Sequence, residues 1–429
     1  MTTILLILFG VFLVLLVFGM PISFALALAS VAALLNLGTY DLTVIVQRMF
    51  TSINSFSLMA IPFFMLAGEL MEVGGISRRI VNFANAFVGW ITGGLAMACV
   101  LGSMIFAGVS GSAVATAAAM GSILVPAMEE KKYGKGYSAS VVATAGTIGP
   151  IIPPSIPMVI YGSITGASIG RLFVGGYIPG ILIGLGLMIV AYLIAKKRNY
   201  PKTNERISLR EIGTCTADAL LSLFMPFVII GGILLGIFTP TEAGAVACVY
   251  AFILGAFFYK EIKLKDLYRV MEHGVQITTI VMFLVAVASL FGWILTAEGL
   301  PAFIVKSFLN ISTNPLVILL LLNVMLLIVG MFMDCTPAII LLMPVLTPLL
   351  KSVGIDFVHF GVVMILNLGI GLVTPPVGTC LFVAGKIANI SIVEIVKEIF
   401  PFLLVMIALL FLITYVPWTV TWLPSVLIG

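Results

Sequence analysis

Gly149-Pro-Ile-Ile-Pro-Pro-Ser-Ile-Pro157 sits inside an apolar run, residues 137–160, and places four prolines within eight residues. Proline lacks a backbone N–H and its ring collides with the preceding turn, so no helix continues through this stretch. A span that starts here is therefore interrupted near mid-membrane. The pattern returns late in the chain as Leu366-Asn-Leu-Gly-Ile-Gly-Leu-Val-Thr374-Pro375-Pro376-Val-Gly378-Thr379. An offset of 222 positions aligns Gly149 with Gly371, Pro153 with Pro375 and Pro154 with Pro376. It also aligns Gly108 with Gly330, Pro126 with Pro348 and Pro179 with Pro401. Two copies of one unit explain six Gly and Pro coincidences at a single offset.

The rest of the chain is a membrane sequence. Of 429 residues, 62% are hydrophobic and 9% charged, against roughly a quarter charged in soluble domains. Apolar segments of spanning length recur throughout, and lipid leaves helices as the way to satisfy the backbone. Strand-like alternation is absent, which argues against a β-barrel. The composition excludes a soluble enzyme, a nucleic-acid binder and a disordered scaffold. The five cysteines are scattered without a CxxC pair, and two histidines offer no metal-ligand spacing. The N-terminus has no basic n-region or cleavage site, so it is read as a retained first span. Met20-Pro21 marks either a kink in one long helix or a turn between two.

Three basic segments punctuate the chain: Glu129–Lys135, Lys196 through Arg206 to Arg210, and Lys260–Arg269. The positive-inside rule places all three in the cytoplasm. Two helices meeting at Thr239-Pro240 take the chain out and back between the second and third. Thr239 with Glu242 has the spacing of a capping box. Arg78 and Arg79 are expected to anchor an interfacial helix.

Each broken span is preceded by a segment with the look of a re-entrant hairpin, with arms of 12–16 residues. Ala96–Ala107 and Ala113–Met128 flank a tip holding Ser110, Gly111 and Ser112. Leu316–Val329 and Ala338–Leu350 flank a tip holding Asp334, Cys335 and Thr336. Counting crossings brings the first hairpin in from the cytoplasm and the second from outside. Opposed repeats of this kind define a secondary transporter with its site near the midplane. Helix ends stranded in the membrane need an ion or ligand to satisfy them. Carbonyls and hydroxyls suit Na+, and helix N-termini suit a carboxylate. Asp334 is either an ion ligand or a cap for the helix after it, and the two roles can coexist. The serines are either ligands or small packing residues. Glu69 has no assigned role.

The motifs together resemble the large membrane subunit of tripartite ATP-independent periplasmic (TRAP) transporters, of the dicarboxylate and sialic acid type. The resemblance rests on Ala60-Ile-Pro-Phe-Phe-Met-Leu-Ala-Gly-Glu69, Ser110-Gly-Ser-Ala-Val-Ala115 and Gly149–Ser155. Phe238-Thr-Pro-Thr-Glu-Ala-Gly-Ala245, Met333-Asp-Cys-Thr-Pro337 and Thr374-Pro-Pro-Val-Gly378 complete it, so it covers nearly the whole chain. It implies an all-α, polytopic, inverted-repeat elevator in the bacterial inner membrane. It implies Na+-coupled uptake of an organic anion delivered by a periplasmic substrate-binding protein. It also implies a small four-helix membrane subunit, expected as a separate polypeptide because the chain starts directly in the large-subunit pattern. Residues 96–179 and 316–401 are the expected moving repeats. Residues 1–95 and 180–315 are scaffold and arms, and 402–429 a C-terminal transmembrane helix.

One Na+ site is expected at Ser110 and Ser112 with backbone at Gly149 and Pro150. The other is expected at Asp334 and Thr336 with Gly371, Thr374 and Pro375. The substrate carboxylate is expected between them, near Pro154, Ser155, Pro376, Gly378 and Thr379. No P-loop motif for ATP is present. A cation/proton antiporter of related fold is the main rival, although it calls for more intramembrane acids than Asp334 and Glu69. A channel would conduct without saturable, substrate-dependent coupling. An intramembrane enzyme would need a nucleophile–base or metal constellation, and none is legible.

Overall fold

The computed structural model describes residues 2–38, 40–202 and 209–428, and every regular element among them is helical. Arg206 of the second basic segment lies outside the described residues. The chain opens with α1 (Thr2–Val17) and α2 (Ile22–Leu37), which pack on each other across a turn at Gly19–Pro21. Met20-Pro21 is thus a turn between two helices. Then follow α3 (Thr43–Ile53), α4 (Ala60–Val73) and α5 (Ile76–Val88). The first hairpin is α6 (Gly94–Ser110) and α7 (Ala113–Glu130); the first broken span is α8 (Lys135–Gly146) and α9 (Ile156–Thr165). Helix α10 (Ile169–Lys197) returns the chain to the second basic segment.

The second half runs through α11 (Leu209–Leu234), α12 (Pro240–Ile253), α13 (Leu264–Ala297) and α14 (Leu300–Ile311). The second hairpin is α15 (Pro315–Gly330) and α16 (Cys335–Ser352). The second broken span is α17 (Phe357–Gly371) and α18 (Thr379–Ala388), followed by α19 (Ile392–Tyr415) and α20 (Trp418–Leu427). Among the described residues six helices are long and apolar enough to cross a bilayer, or eight if each of two bent pairs is one span. The molecule is a multi-pass membrane protein.

The repeat is larger than the sequence reading made it. Shifted by 222 positions, α7 falls on α16 residue for residue, and α8 and α17 start together. The same shift carries α5 onto α14, and α3 with α4 onto the single 34-residue helix α13. The counterpart of α13 is bent by 66° between α3 and α4. Packing follows the repeat: α7 lies against α18, and its counterpart α16 lies against α9. One arm of each hairpin therefore packs on the broken span of the other half, while the hairpin also packs on its own, and the two units interlock.

Several expected boundaries move. The hairpin arms have 17 and 18 residues in the first copy and 16 and 18 in the second. They are longer than expected because the helices run on to Ser110 and Gly330 before breaking. Residues 179 and 401 fall inside α10 and α19, each of which continues through its proline, so neither position ends an element. The segment from 402 onward is not one helix: it holds the end of α19 and then α20, which packs on α10.

Local signals formed as their chemistry dictates. Thr239 Oγ1 accepts from Glu242 N at 3.3 Å, and Glu242 Oε2 accepts from Thr239 N at 2.8 Å, so the capping box is complete. Arg79 does not reach for lipid. Its guanidinium lies 2.8 Å from Glu261 and 3.3 Å from Asp218, over the Tyr259 ring. It fastens α5 to α11 and to the loop before α13.

Candidate functional site

Each tip sits on its own break. In the first copy the left-handed turn at Gly111 (φ +61) ends α6. A Cβ there would meet Pro154 O at 2.6 Å, so only glycine fits both the conformation and the contact. Ser112 starts α7, its hydroxyl accepting from Ala115 N at 3.4 Å. Ser155 starts α9 in the same way, accepting from Met158 N at 3.3 Å while donating to Pro150 O at 2.5 Å. Gly149 rests against the Ser112 carbonyl and the Thr116 hydroxyl. The first break is buried throughout, Ser155 included.

In the second copy Asp334 occupies the N-cap position of α16, but its carboxylate makes no capping bond. Oδ1 instead accepts from Thr379 Oγ1 at 2.9 Å, across from the tip to the start of α18. A second link joins the same parts: Val377 N donates to Met331 O at 3.2 Å. Gly378, at φ +53, precedes α18. Gly371 packs directly on the backbone of Gly330. Thr374 and Pro375 are half-buried, and Pro376 is exposed. Both proline pairs, Pro153-Pro154 and Pro375-Pro376, are joined by cis peptide bonds.

The two tips converge on one cleft of about 1200 Å³. Ser112, Pro150, Asp334 and Thr336 line it, with Ala115 and Pro157 beside them. Gly149, Pro154 and Ser155 stand behind that surface, as do Ser110, Gly371 and Thr374. Pro375, Pro376, Gly378 and Thr379 are also outside the lining, although Thr379 bonds to Asp334, which is part of it, so none of the expected substrate residues lines the cleft.

The opposite wall belongs to α4 and α13. Glu69 finds its partner here: its Oε1 lies 2.8 Å from His273 Nδ1, binding α4 to α13. Glu72, Arg269, Glu272 and Gln276 surround the pair. No spacing rule exposes this contact, because the two residues are 204 positions apart and neither belongs to a repeat coincidence. Thr116 is the other residue that the sequence reading missed. Its hydroxyl is buried between Ser110 Oγ, at 2.8 Å, and Ser112 O, at 2.7 Å. The available signal was its place one helical turn after Ser112, where a hydroxyl bonds back to the preceding turn.

Two interlaced broken-helix units around one cleft that carries acidic, basic and hydroxyl side chains are the architecture of a secondary transporter. The solved structures agree on the fold. The Alcanivorax borkumensis YdaH transporter superposes with a TM-score of 0.62 at 14% identity, over 90% of this chain and 88% of its own. Neisseria gonorrhoeae MtrF, titled among antimetabolite efflux pumps, gives 0.52 at 11% identity over 87% and 84%.

The family described as the DctM component of the tripartite ATP-independent periplasmic transporter matches residues 9–419, and the chain belongs to it. The isethionate TRAP transporter permease protein DctMQ of Oleidesulfovibrio alaskensis is 44% identical over 96% of this chain, which spans 65% of that protein's length. The sialic acid large permease SiaM of Vibrio cholerae is 41% identical, with 96% of each chain covered. The C4-dicarboxylate large permease DctM of the same organism is 38% identical over 96% of this chain and 95% of its own. These relatives are named as transport permeases, not enzymes.

Proposed function

We propose that the chain is the large permease of a Na+-coupled importer of an organic anion in a bacterial inner membrane. The observation that carries the reading is the cleft, which has both hairpin tips on one wall and the α4–α13 pair on the other. Family membership supports an organic acid as cargo, since relatives are named for sialic acid, C4-dicarboxylates and 2,3-diketo-L-gulonate. A periplasmic substrate-binding protein delivers the anion, and a small four-helix membrane subunit buttresses α1–α5 and α11–α14.

The donors at both tips are oxygens, which fits Na+. Ser110, Ser112 and the Gly149–Pro150 backbone hold one ion. Asp334 and Thr336, with backbone from Gly371 to Pro375 and the Thr374 hydroxyl, hold the other. The anion's carboxylate is placed between the breaks, against Pro154, Ser155, Pro376, Gly378 and Thr379, none of which lines the cleft in this conformation. Ser155 acts there through its backbone, because its hydroxyl is occupied by Pro150. The two interlaced hairpin and broken-helix units move together as the elevator against α4 and α13. The cleft is lined by the half of α13 that follows the Lys260–Arg269 segment. That segment marks the cytoplasmic side, so this conformation faces inward.

The test is uptake of labelled sialic acid and succinate into proteoliposomes holding this chain, its small subunit and the binding protein. Under an inward Na+ gradient, saturable uptake requires both Na+ and the binding protein. Asp334→Ala lowers it by at least ~100-fold, about 3 kcal/mol. Uptake that survives the mutation removes Asp334 from the ion site. The Glu69–His273 pair favours a second reading, a cation/proton antiporter. Proton flux driven by Na+ without any organic acid would establish that reading instead.

A further inference from the structure

We infer that Thr116 is the positioning residue of the first cation site, and that it makes the two sites chemically unequal. The inference rests on the two-cation reading above. Three oxygens form a relay at the first tip. Thr116 Oγ1 lies 2.7 Å from Ser112 O, and a carbonyl only accepts, so the single Thr116 hydroxyl proton points at Ser112. Ser110 Oγ lies 2.8 Å from Thr116 Oγ1. The Thr116 proton being committed, Ser110 is the donor in that contact. The Ser110 oxygen is left with its lone pairs turned away from Thr116 and no proton of its own to repel a cation.

The relay also reaches the break. A Cβ on Gly149 would lie 2.8 Å from Thr116 Oγ1, so the Gly149 backbone rests against the same hydroxyl. Thr116 and Ser110 are both buried, 0% and 5% exposed, so water does not reorganise the relay. One side chain thus sets the proton direction at Ser110, holds the Ser112 carbonyl and seats the break.

The second tip has no such device. The repeat offset places Phe332, Asp334 and Ala338 where the first tip has Ser110, Ser112 and Thr116. A charged carboxylate held across the tip by Thr379 replaces a relay of neutral hydroxyls. The first site is a preset cradle of neutral oxygens, and the second is a carboxylate that a cation neutralises.

Removing the Thr116 hydroxyl while keeping its shape, Thr116→Val, frees the Ser110 proton to turn toward the cation. In proteoliposomes with both partners, the Na+ concentration for half-maximal uptake then rises roughly tenfold, the scale set by residues that orient metal ligands. The substrate KM at saturating Na+ stays within about twofold, because Thr116 touches Ser110, Ser112 and Gly149 of the ion site and does not line the cleft. In detergent, the rise in Tm on replacing choline by Na+ shrinks by at least half. Thr116→Ser restores the hydroxyl and both readouts. Ser110→Ala reproduces the Na+ effect, and the Ser110→Ala/Thr116→Val pair is no worse than either alone, since the two act as one unit. If Thr116→Val does not fold, Thr116→Ala, which also removes the hydroxyl, decides the matter by the same readouts. Unchanged Na+ dependence in Thr116→Val or in Ser110→Ala overturns the inference, as does a serine variant that behaves like valine. A wild-type protein whose uptake and Tm ignore Na+ fails differently: it removes the cation reading itself.

Discussion

The two hairpin tips are copies of one design, yet one is closed and the other open. At the first, Ile151 and Ser155 are fully buried and Ile152 is 5% exposed. At the second, Val373, the counterpart of Ile151, is also fully buried, but Phe332 is 56% and Val377 37% exposed. Helix α10 packs closely on the first break. Gly176 and Gly180 let it press on Ile151 and Ile152, and a Cβ at either position would strike those residues. The repeat offset gives α19 Glu398 and Phe402 at those two places. Glu398 pairs with Arg198 at 2.6 Å. The two copies share one fold and differ in how much of the tip is exposed.

The largest effects come from forcing a tip off its break. Gly111→Ala adds a left-handed strain of about 1–2 kcal/mol to the clash with Pro154 O. Gly371→Ala drives a methyl into the Gly330 backbone, where the second hairpin meets its own break. Overpacking of this kind costs about 1–3 kcal/mol. Both variants lower Tm in detergent, Gly111→Ala the more. A larger loss from Gly371→Ala would mean that the open tip, not the closed one, carries the stability.

A second comparison reads accessibility directly. With the five native cysteines replaced by serine, Val377→Cys reacts with a polar maleimide at least tenfold faster than Ile152→Cys. The difference follows from their exposures of 37% and 5%. Equal rates would show that the first break also opens, which would undo the contrast. The smallest effect is expected for Thr379→Val, which removes one partly exposed bond to Asp334. A bond to a charged group is worth about 1.5–3 kcal/mol when buried, and solvent lowers that here, so uptake falls roughly three- to tenfold. A loss as deep as that of Asp334→Ala would show that Thr379 orients the carboxylate by itself.

Much of this was legible in the chain because proline and glycine act locally. Four prolines in eight residues at the first break and a proline pair flanked by glycines at the second interrupt a helix wherever they fall in space, so both breaks could be placed from the sequence. Thr239 and Glu242 cap a helix by a contact three residues long. The hairpin tips followed from small and polar residues between apolar arms. The full extent of the repeat did not follow. Its outer helices keep the geometry without keeping Gly or Pro at matched positions, as where α3 and α4 are bent and α13 is continuous.

The sequence by itself determined an all-helical membrane protein, two broken spans, their duplication and the oxygens available at each tip. Those features depend on backbone hydrogen bonding in lipid and on residues close together in the chain. Only the tertiary structure decided that Asp334 reaches Thr379, that Glu69 meets His273, that Thr116 sits between two serines' oxygens and that one break is buried while its copy is open. The first, second and fourth depend on how helices far apart in the chain approach one another. That approach is set by side-chain volume on packed faces, and a hydropathy pattern does not record it. The Thr116 relay is local, but its function depends on burial, which the fold alone supplies.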